Sequence, residues 1–118
     1  ITALMYAAIN GNNEIIKRIL DRGAQIDQRR SDGFNALMLA SLNGHPETVK
    51  LLTERGGAIN SSLPGGMTVL MTAAQNGHIE VVRVLMEKGA DPDLRNNEGK
   101  TAMDYAVNPE IRFLLTRR

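Results

Sequence analysis

The feature that most constrains this chain is a period: Thr2, Asn35, Thr68 and Thr101 stand 33 residues apart. The tetrads Ala3-Leu4-Met5-Tyr6, Ala36-Leu37-Met38-Leu39, Val69-Leu70-Met71-Thr72 and Ala102-Met103-Asp104-Tyr105 keep that register. Three sets of glycines keep it too: Gly11, Gly44 and Gly77, then Gly23, Gly56 and Gly89, then Gly33, Gly66 and Gly99. A unit this short cannot bury its own apolar stripe. It needs a neighbouring copy as a wall, so the period predicts a stacked repeat architecture.

Within one period the pattern predicts two short helices. Leu4, Ala7 and Ala8 fall on one face of a first helix over 3–10, and the small alanines allow close approach of a neighbour. Asn10-Gly11 ends that helix, because glycine adopts the left-handed conformation after a helix end without steric cost. The second helix is predicted over 13–22, with Ile15, Ile16, Ile19 and Leu20 as its stripe. Pro46 suits a first helical turn. Glu14, Glu47 and Glu80 sit near the positive end of the helix dipole. Between the helix pairs lie the turn stretches QRRSDGF, SSLPGGM and LRNNEGK.

Composition narrows the chemistry. There is no Trp and there are only two Tyr and two Phe, so the core must be aliphatic. The absence of Cys excludes disulfide and thiolate chemistry. Fourteen Lys and Arg against thirteen Asp and Glu give a net charge of +1, which supplies no broad attraction to nucleic acid or an anionic membrane. A hydrophobic content of 42% reads as soluble and globular. No apolar run approaches the roughly 20 residues that span a bilayer, so membrane insertion is not expected. No signal peptide is visible, and the chain opens in mid-pattern at Ile1.

Taken together, TALMYA, NALMLA, TVLMTA and TAMDYA resemble the T-P-L-H-x-A signature of the ankyrin repeat family. Gly44-His45-Pro46-Glu47 and Gly77-His78-Ile79-Glu80 resemble its G-H-x-E stretch, and Gly89-Ala90-Asp91 its G-A-D ending. The resemblance covers essentially the whole chain. It departs from the pattern where Ala3, Ala36, Val69 and Ala102 replace proline, where Met5, Met38, Met71 and Asp104 replace histidine, and where Gly57 replaces alanine. Loss of that histidine removes a hydrogen bond near the turns. The expected fold is an all-α ankyrin-repeat solenoid of four stacked helix-turn-helix repeats with projecting hairpin-like turns. The repeats would cover residues 1–27 (truncated), 28–60, 61–93 and 94–118 (shortened), in one domain. In the last repeat Glu110 is expected near the apolar slot held by Val81, making a polar C-terminal cap. At the other end Arg18, in the slot of Leu51 and Val84, points to a cap, whereas Ile15 points to a further repeat.

The resemblance implies a non-catalytic scaffold or adaptor that binds a protein partner through the concave face and turn tips. Residues where the copies disagree are the candidates. At the tips these are Arg30, Ser31, Asp32, Phe34, Pro64, Met67, Asn97, Glu98 and Lys100. On the first helices Ile9, Asn10, Leu42, Asn43, Gln75 and Asn76 are candidates as well. Ile9, Leu42, Phe34 and Met67 are expected to be exposed apolar anchors inside a charged rim. The methionine ladder Met5, Met38 and Met71 is expected to fill the joint between turns and helices rather than to bind.

His45 and His78, with no Cys and no third His, make no zinc site. No nucleophile–base pair is visible, and Asp91 and Asp93 around Pro92 read as a solvated turn. No cofactor or catalytic residue is expected. Lys17, Arg18, Arg22, Arg29 and Arg30, and Arg112, Arg117 and Arg118, are interleaved with acids, so no nucleic-acid partner is expected. A monomer is expected, with end-to-end stacking as the alternative. The cytoplasm is favoured, with the nucleus and the bacterial periplasm left open. A second function class is a regulatory or anchoring segment of a larger enzyme or channel making intramolecular contacts. A consensus-designed array fits poorly, because NSSLPGG and VNPEIR are idiosyncratic.

Overall fold

The structure, a computed structural model, describes residues 1–116. Its helices are α1 (Ala3–Asn10), α2 (Asn13–Asp21), α3 (Ala36–Leu42), α4 (Pro46–Glu54), α5 (Val69–Gln75), α6 (Ile79–Glu87), α7 (Ala102–Tyr105) and α8 (Pro109–Thr116). Each odd helix packs on the next even one. The odd helices stack in one layer, α1 on α3 on α5 on α7, and the even helices in another, α2 on α4 on α6 on α8. The described residues contain no β-strand, only an isolated antiparallel bridge between Ser62 and Thr68 in one turn. The chain is an all-α solenoid of four helix pairs.

The residue that repeats as Thr or Asn before each odd helix is its N-cap. The side-chain oxygens of Thr2, Asn35 and Thr68 accept from the backbone N–H of Met5, Met38 and Met71 at 3.1, 2.9 and 3.1 Å. Each satisfies one of the four donors that a helix start leaves without a partner. The even helices solve a different problem. His45 and His78 occupy their N-cap positions without a side-chain cap bond. Their Nε2 atoms instead contact the Ile9 and Leu42 carbonyls of the preceding helix pair, at 2.7 and 2.9 Å. The histidines are ties between repeats.

Met5, Met38 and Met71 are buried, as expected of joint residues, and Met71 Sδ also accepts from the Thr68 N–H at 3.5 Å. At this turn the thioether partners the N-cap N–H. The aliphatic core runs through all four pairs, from Leu4 and Ile16 through Leu52 and Leu85 to Ile111 and Leu115.

The last pair corrects one expectation. The register of Val81 is filled by Ile111, which is fully buried, and not by Glu110, which is exposed in the first turn of α8. The deletion that shortens this repeat removes the counterparts of Gln75, Asn76 and Gly77, and α7, with four residues, gives way to extended backbone at Ala106. Asn108 then caps α8 by accepting from the Ile111 N–H at 2.9 Å. Asp104, in the register of the buried methionines, and Arg112, in that of Val49 and Val82, are both exposed. At the first pair Arg18 and Ile15 are both exposed.

Candidate functional site

The three connecting turns are tied to one another. Arg29 donates from Nη1 to the Gly33 carbonyl in its own turn and to the Ser62 carbonyl in the next, both at 2.8 Å. The Asn97 N–H donates to the Gly65 carbonyl at 2.9 Å, joining the second turn to the third. Packing is equally close. A Cβ on Gly33 would lie 2.6 Å from Pro64 Cδ, and one on Gly66 would lie 2.9 Å from Asn96 Cα. Glycine at these positions lets one turn sit against the next.

Within the first turn, Arg30 Nε and Nη2 donate to Asp32 Oδ1 and Oδ2 at 3.0 and 2.7 Å, a two-pronged pair. The guanidinium also lies over the Phe34 ring, 5.1 Å from its centroid. The hydrogen bond from Arg30 holds the Asp32 carboxyl below the usual carboxylate range and raises the Arg30 guanidinium in return. The third turn is organised by Asn96, which is buried. Its Oδ1 accepts from the Glu98 and Lys100 N–H groups at 2.9 and 3.1 Å, and its Nδ2 donates to the Tyr105 hydroxyl at 2.6 Å. Lys100 Nζ pairs with Glu98 at 3.6 Å and lies 5.8 Å from the Tyr105 ring centroid.

The structure places the sequence candidates in two groups. Asn10, Ser31, Asp32, Asn43, Pro64, Gln75, Asn76, Asn97, Glu98 and Lys100 are exposed. Ile9, Phe34, Leu42 and Met67, expected to be exposed anchors, are half-buried, as is Arg30. Phe34 and Met67 immediately precede an N-cap, where the chain turns into the helix layer, and both pack against the aliphatic core. Ile9 and Leu42 lie at the ends of α1 and α3, where the histidine of the next pair reaches in. The surface is therefore a polar ridge with partly covered apolar side chains behind it.

Asn96, Tyr105 and Tyr6 belong to this account although the sequence reading did not single them out. Asn96 shares a register with Arg30 and Leu63, three unlike residues, so the disagreement between copies was there to be used. Tyr6 is exposed on α1 at the register of buried Leu39.

The basic residues that are close in sequence are divided among separate tasks. Lys17 pairs with Glu14 at 3.5 Å, Arg30 with Asp32, and Arg29 holds carbonyls. Arg112 is exposed, and Arg117 and Arg118 lie outside the described residues. Among the described residues no group of three or more His, Asp or Glu is placed to hold a metal ion, and no helix is long and apolar enough to cross a membrane.

A family model described as ankyrin repeats in three copies matches residues 1–63, and a second, described as ankyrin repeats in many copies, matches residues 60–106. The chain belongs to the ankyrin repeat family. No individual curated protein matches it. The first match alone spans more than half of this ankyrin array, and together they cover α1 to α7 with the three connecting turns between them. Ankyrin repeats generally mediate protein–protein interaction, and the family is typically non-catalytic.

Proposed function

We propose that this ankyrin array is a non-catalytic scaffold or adaptor that recognises a protein partner with its turn tips and the exposed side of α1, α3 and α5. The observation that carries this reading is the tying of three turns into one ridge by Arg29, Asn96 and Asn97. A ridge already ordered in the free protein loses little conformational freedom on binding, so more of the contact energy appears as affinity. Asp32, Glu98 and Lys100 would set register by charge. Asn10, Asn43, Gln75 and Asn76 would supply adaptable hydrogen bonds along the helices. Phe34 and Met67 support the ridge from behind and offer only their uncovered edges.

The test compares capture of partners by three forms of the chain. Ser31→Glu/Gln75→Glu/Asn97→Glu alters exposed side chains that make no hydrogen bond within the described residues. Lys50→Glu on α4 alters the opposite layer. Helical circular dichroism and the thermal midpoint should be unchanged in both. A partner held by the unaltered chain and by Lys50→Glu, but lost by the triple variant, is the expected result. Equal retention by the triple variant, with loss in Lys50→Glu, would move the interface to the even helices and defeat the reading.

A further inference from the structure

The tip of the first connecting turn presents a hydroxyl to solvent. The Gly33 N–H donates to the Arg30 carbonyl at 2.9 Å, which closes a four-residue turn with Ser31 and Asp32 at its corners. The Arg30 N–H donates to the Phe34 carbonyl at 2.7 Å and holds the stem of that turn. Ser31 is exposed, and its hydroxyl makes no hydrogen bond among the described residues. Every other described serine or threonine caps a helix, is at least partly covered, or bonds within the chain. Thr116, the other exposed one, donates to the Phe113 carbonyl at 2.8 Å.

Ser31 is also the only serine or threonine that two basic residues directly precede. Arg29 is exposed and pairs with no acid among the described residues, since its guanidinium donates to carbonyls. Protein kinases choose their substrates by such charge patterns around the acceptor hydroxyl. Projecting tips open locally more readily than packed helices, which lets such a segment enter an extended substrate groove. The other two turns offer no equivalent. Ser62 is partly covered and has no basic residue before it, and the third turn, LRNNEGK, has no hydroxyl.

We infer that Ser31 is a phosphorylation site for a kinase that reads basic residues before the acceptor, and that the phosphate takes Arg30 from Asp32 and turns the first tip from cationic to anionic. In the transfer Ser31 Oγ attacks the terminal phosphorus of ATP. The Oγ–P bond forms, the bond from that phosphorus to the bridging oxygen breaks, ADP leaves, and the hydroxyl proton passes to the kinase's catalytic carboxylate. The change of partner follows from charge. Arg30 meets a single carboxylate in Asp32, at 3.0 and 2.7 Å, in a surface pair of the kind that is held weakly. A phosphoryl group on the residue between them carries about −1.5 to −2 and can accept both prongs of a guanidinium. It also repels the adjacent Asp32 carboxylate. Asp32 then keeps the Phe34 N–H, which it accepts at 3.3 Å. Arg29, Arg30 and Asp32 give the turn a formal +1, and the phosphate makes it negative. Control of partner recognition by this switch rests on the ridge being the binding surface; the modification and the new partner of Arg30 do not.

Two measurements on the chain alone test this, so a failure of partner capture leaves them standing. In the first, the folded chain is incubated with magnesium ATP and a serine kinase selective for arginine before the acceptor. Mass spectrometry should place one phosphate on Ser31. Ser31→Ala should take up none, Arg29→Gln/Arg30→Gln should lose most of the rate, and Arg29→Lys/Arg30→Lys should keep it. No uptake, uptake undiminished by Ser31→Ala, or equal rates in the glutamine variant and the unaltered chain overturns the proposal. In the second, Ser31 is made as phosphoserine by genetic encoding, and phosphorus NMR follows its second ionisation. Pairing with Arg30 should hold that midpoint below its ordinary value, about 6, and Arg30→Gln should return it there. The midpoint of the Asp32 carboxyl should rise when Ser31 carries the phosphate. A phosphate midpoint that Arg30→Gln leaves unmoved, or an Asp32 midpoint that the phosphate leaves low, means that Arg30 has stayed on Asp32 and overturns the switch.

Discussion

Ser41 carries the sole buried side-chain polar atom without a hydrogen-bond partner among the described residues. Its counterparts Ala8 and Ala74 are equally buried and have nothing to satisfy. Leaving a hydroxyl unpaired in such a place costs its desolvation, so Ser41→Ala should stabilise the protein by about 1 kcal/mol. Chemical denaturation checks this, and a lower midpoint in the variant would show that the hydroxyl is bonded in solution. Asp32 provides a second test at this scale. Because Arg30 lowers its pKa in the folded state, the pair contributes above the ordinary carboxylate range and is lost as pH falls through the lowered value. A titration of the Asp32 carboxyl carbon by NMR should give a midpoint below that of an unpaired aspartate, about 3.9. In Arg30→Gln the midpoint should rise toward that value. Equal midpoints in the two proteins would remove the ion pair from the account of the tip.

At the scale of elements, the turns depend on neighbours as much as on their own residues. Gly66 has φ of +87°, and a Cβ there would meet the backbone of Asn96. Gly99 has φ of +78° and open space around it. Gly99→Ala should therefore cost only the left-handed conformation, about 1–2 kcal/mol. Gly66→Ala should cost more and should also weaken the Asn97–Gly65 hydrogen bond. Thermal midpoints and the amide shift of Asn97 test the ordering, and equal losses would refute the close approach. The same dependence explains what could be read from sequence. The period and the N-cap residues are local and repeated, so the helices were legible, with α2 ending at Asp21 and Arg22 as its cap. The half-burial of Phe34 and Met67 was not, because it depends on how the turn meets the core. The place of Ile111 was not, because a deletion between two helices has no fixed position until packing selects one. Of the candidate surface, Asn10, Asn43 and Asn76 are the same residue in three copies, whereas the exposed tip residues Ser31, Asp32, Pro64, Asn97 and Glu98 were legible from disagreement between copies. Their bracing by Asn96 was not, since it joins residues on two different elements.

For the whole molecule, stacking is nearest-neighbour. The extents of 39 × 25 × 20 Å fit four helix layers at about 10 Å each along one axis. Helix pairs α3/α4 and α5/α6 have a neighbour on both sides, while α1/α2 and α7/α8 have one each. Stability in such an array is close to a sum of repeat terms and interface terms, so the pairs with one interface open more readily. At the last pair α7 is reduced to four residues, though Ile111, Leu114 and Leu115 still anchor α8. At the first pair the face bearing Tyr6 and Ile15 is open. Native-state hydrogen exchange should therefore show the greatest protection in α3 to α6, with α1, α2, α7 and α8 exchanging through smaller openings. Val49→Ala, which leaves a cavity in a doubly stacked pair, should cost about 2 kcal/mol and reduce protection on both sides of α4. Ile15→Ala, at the exposed end, should leave protection in α4 to α8 unaltered. Uniform protection across all eight helices, or loss throughout the chain from Ile15→Ala, would mean that the array folds as one indivisible unit and that additivity between neighbours does not describe it.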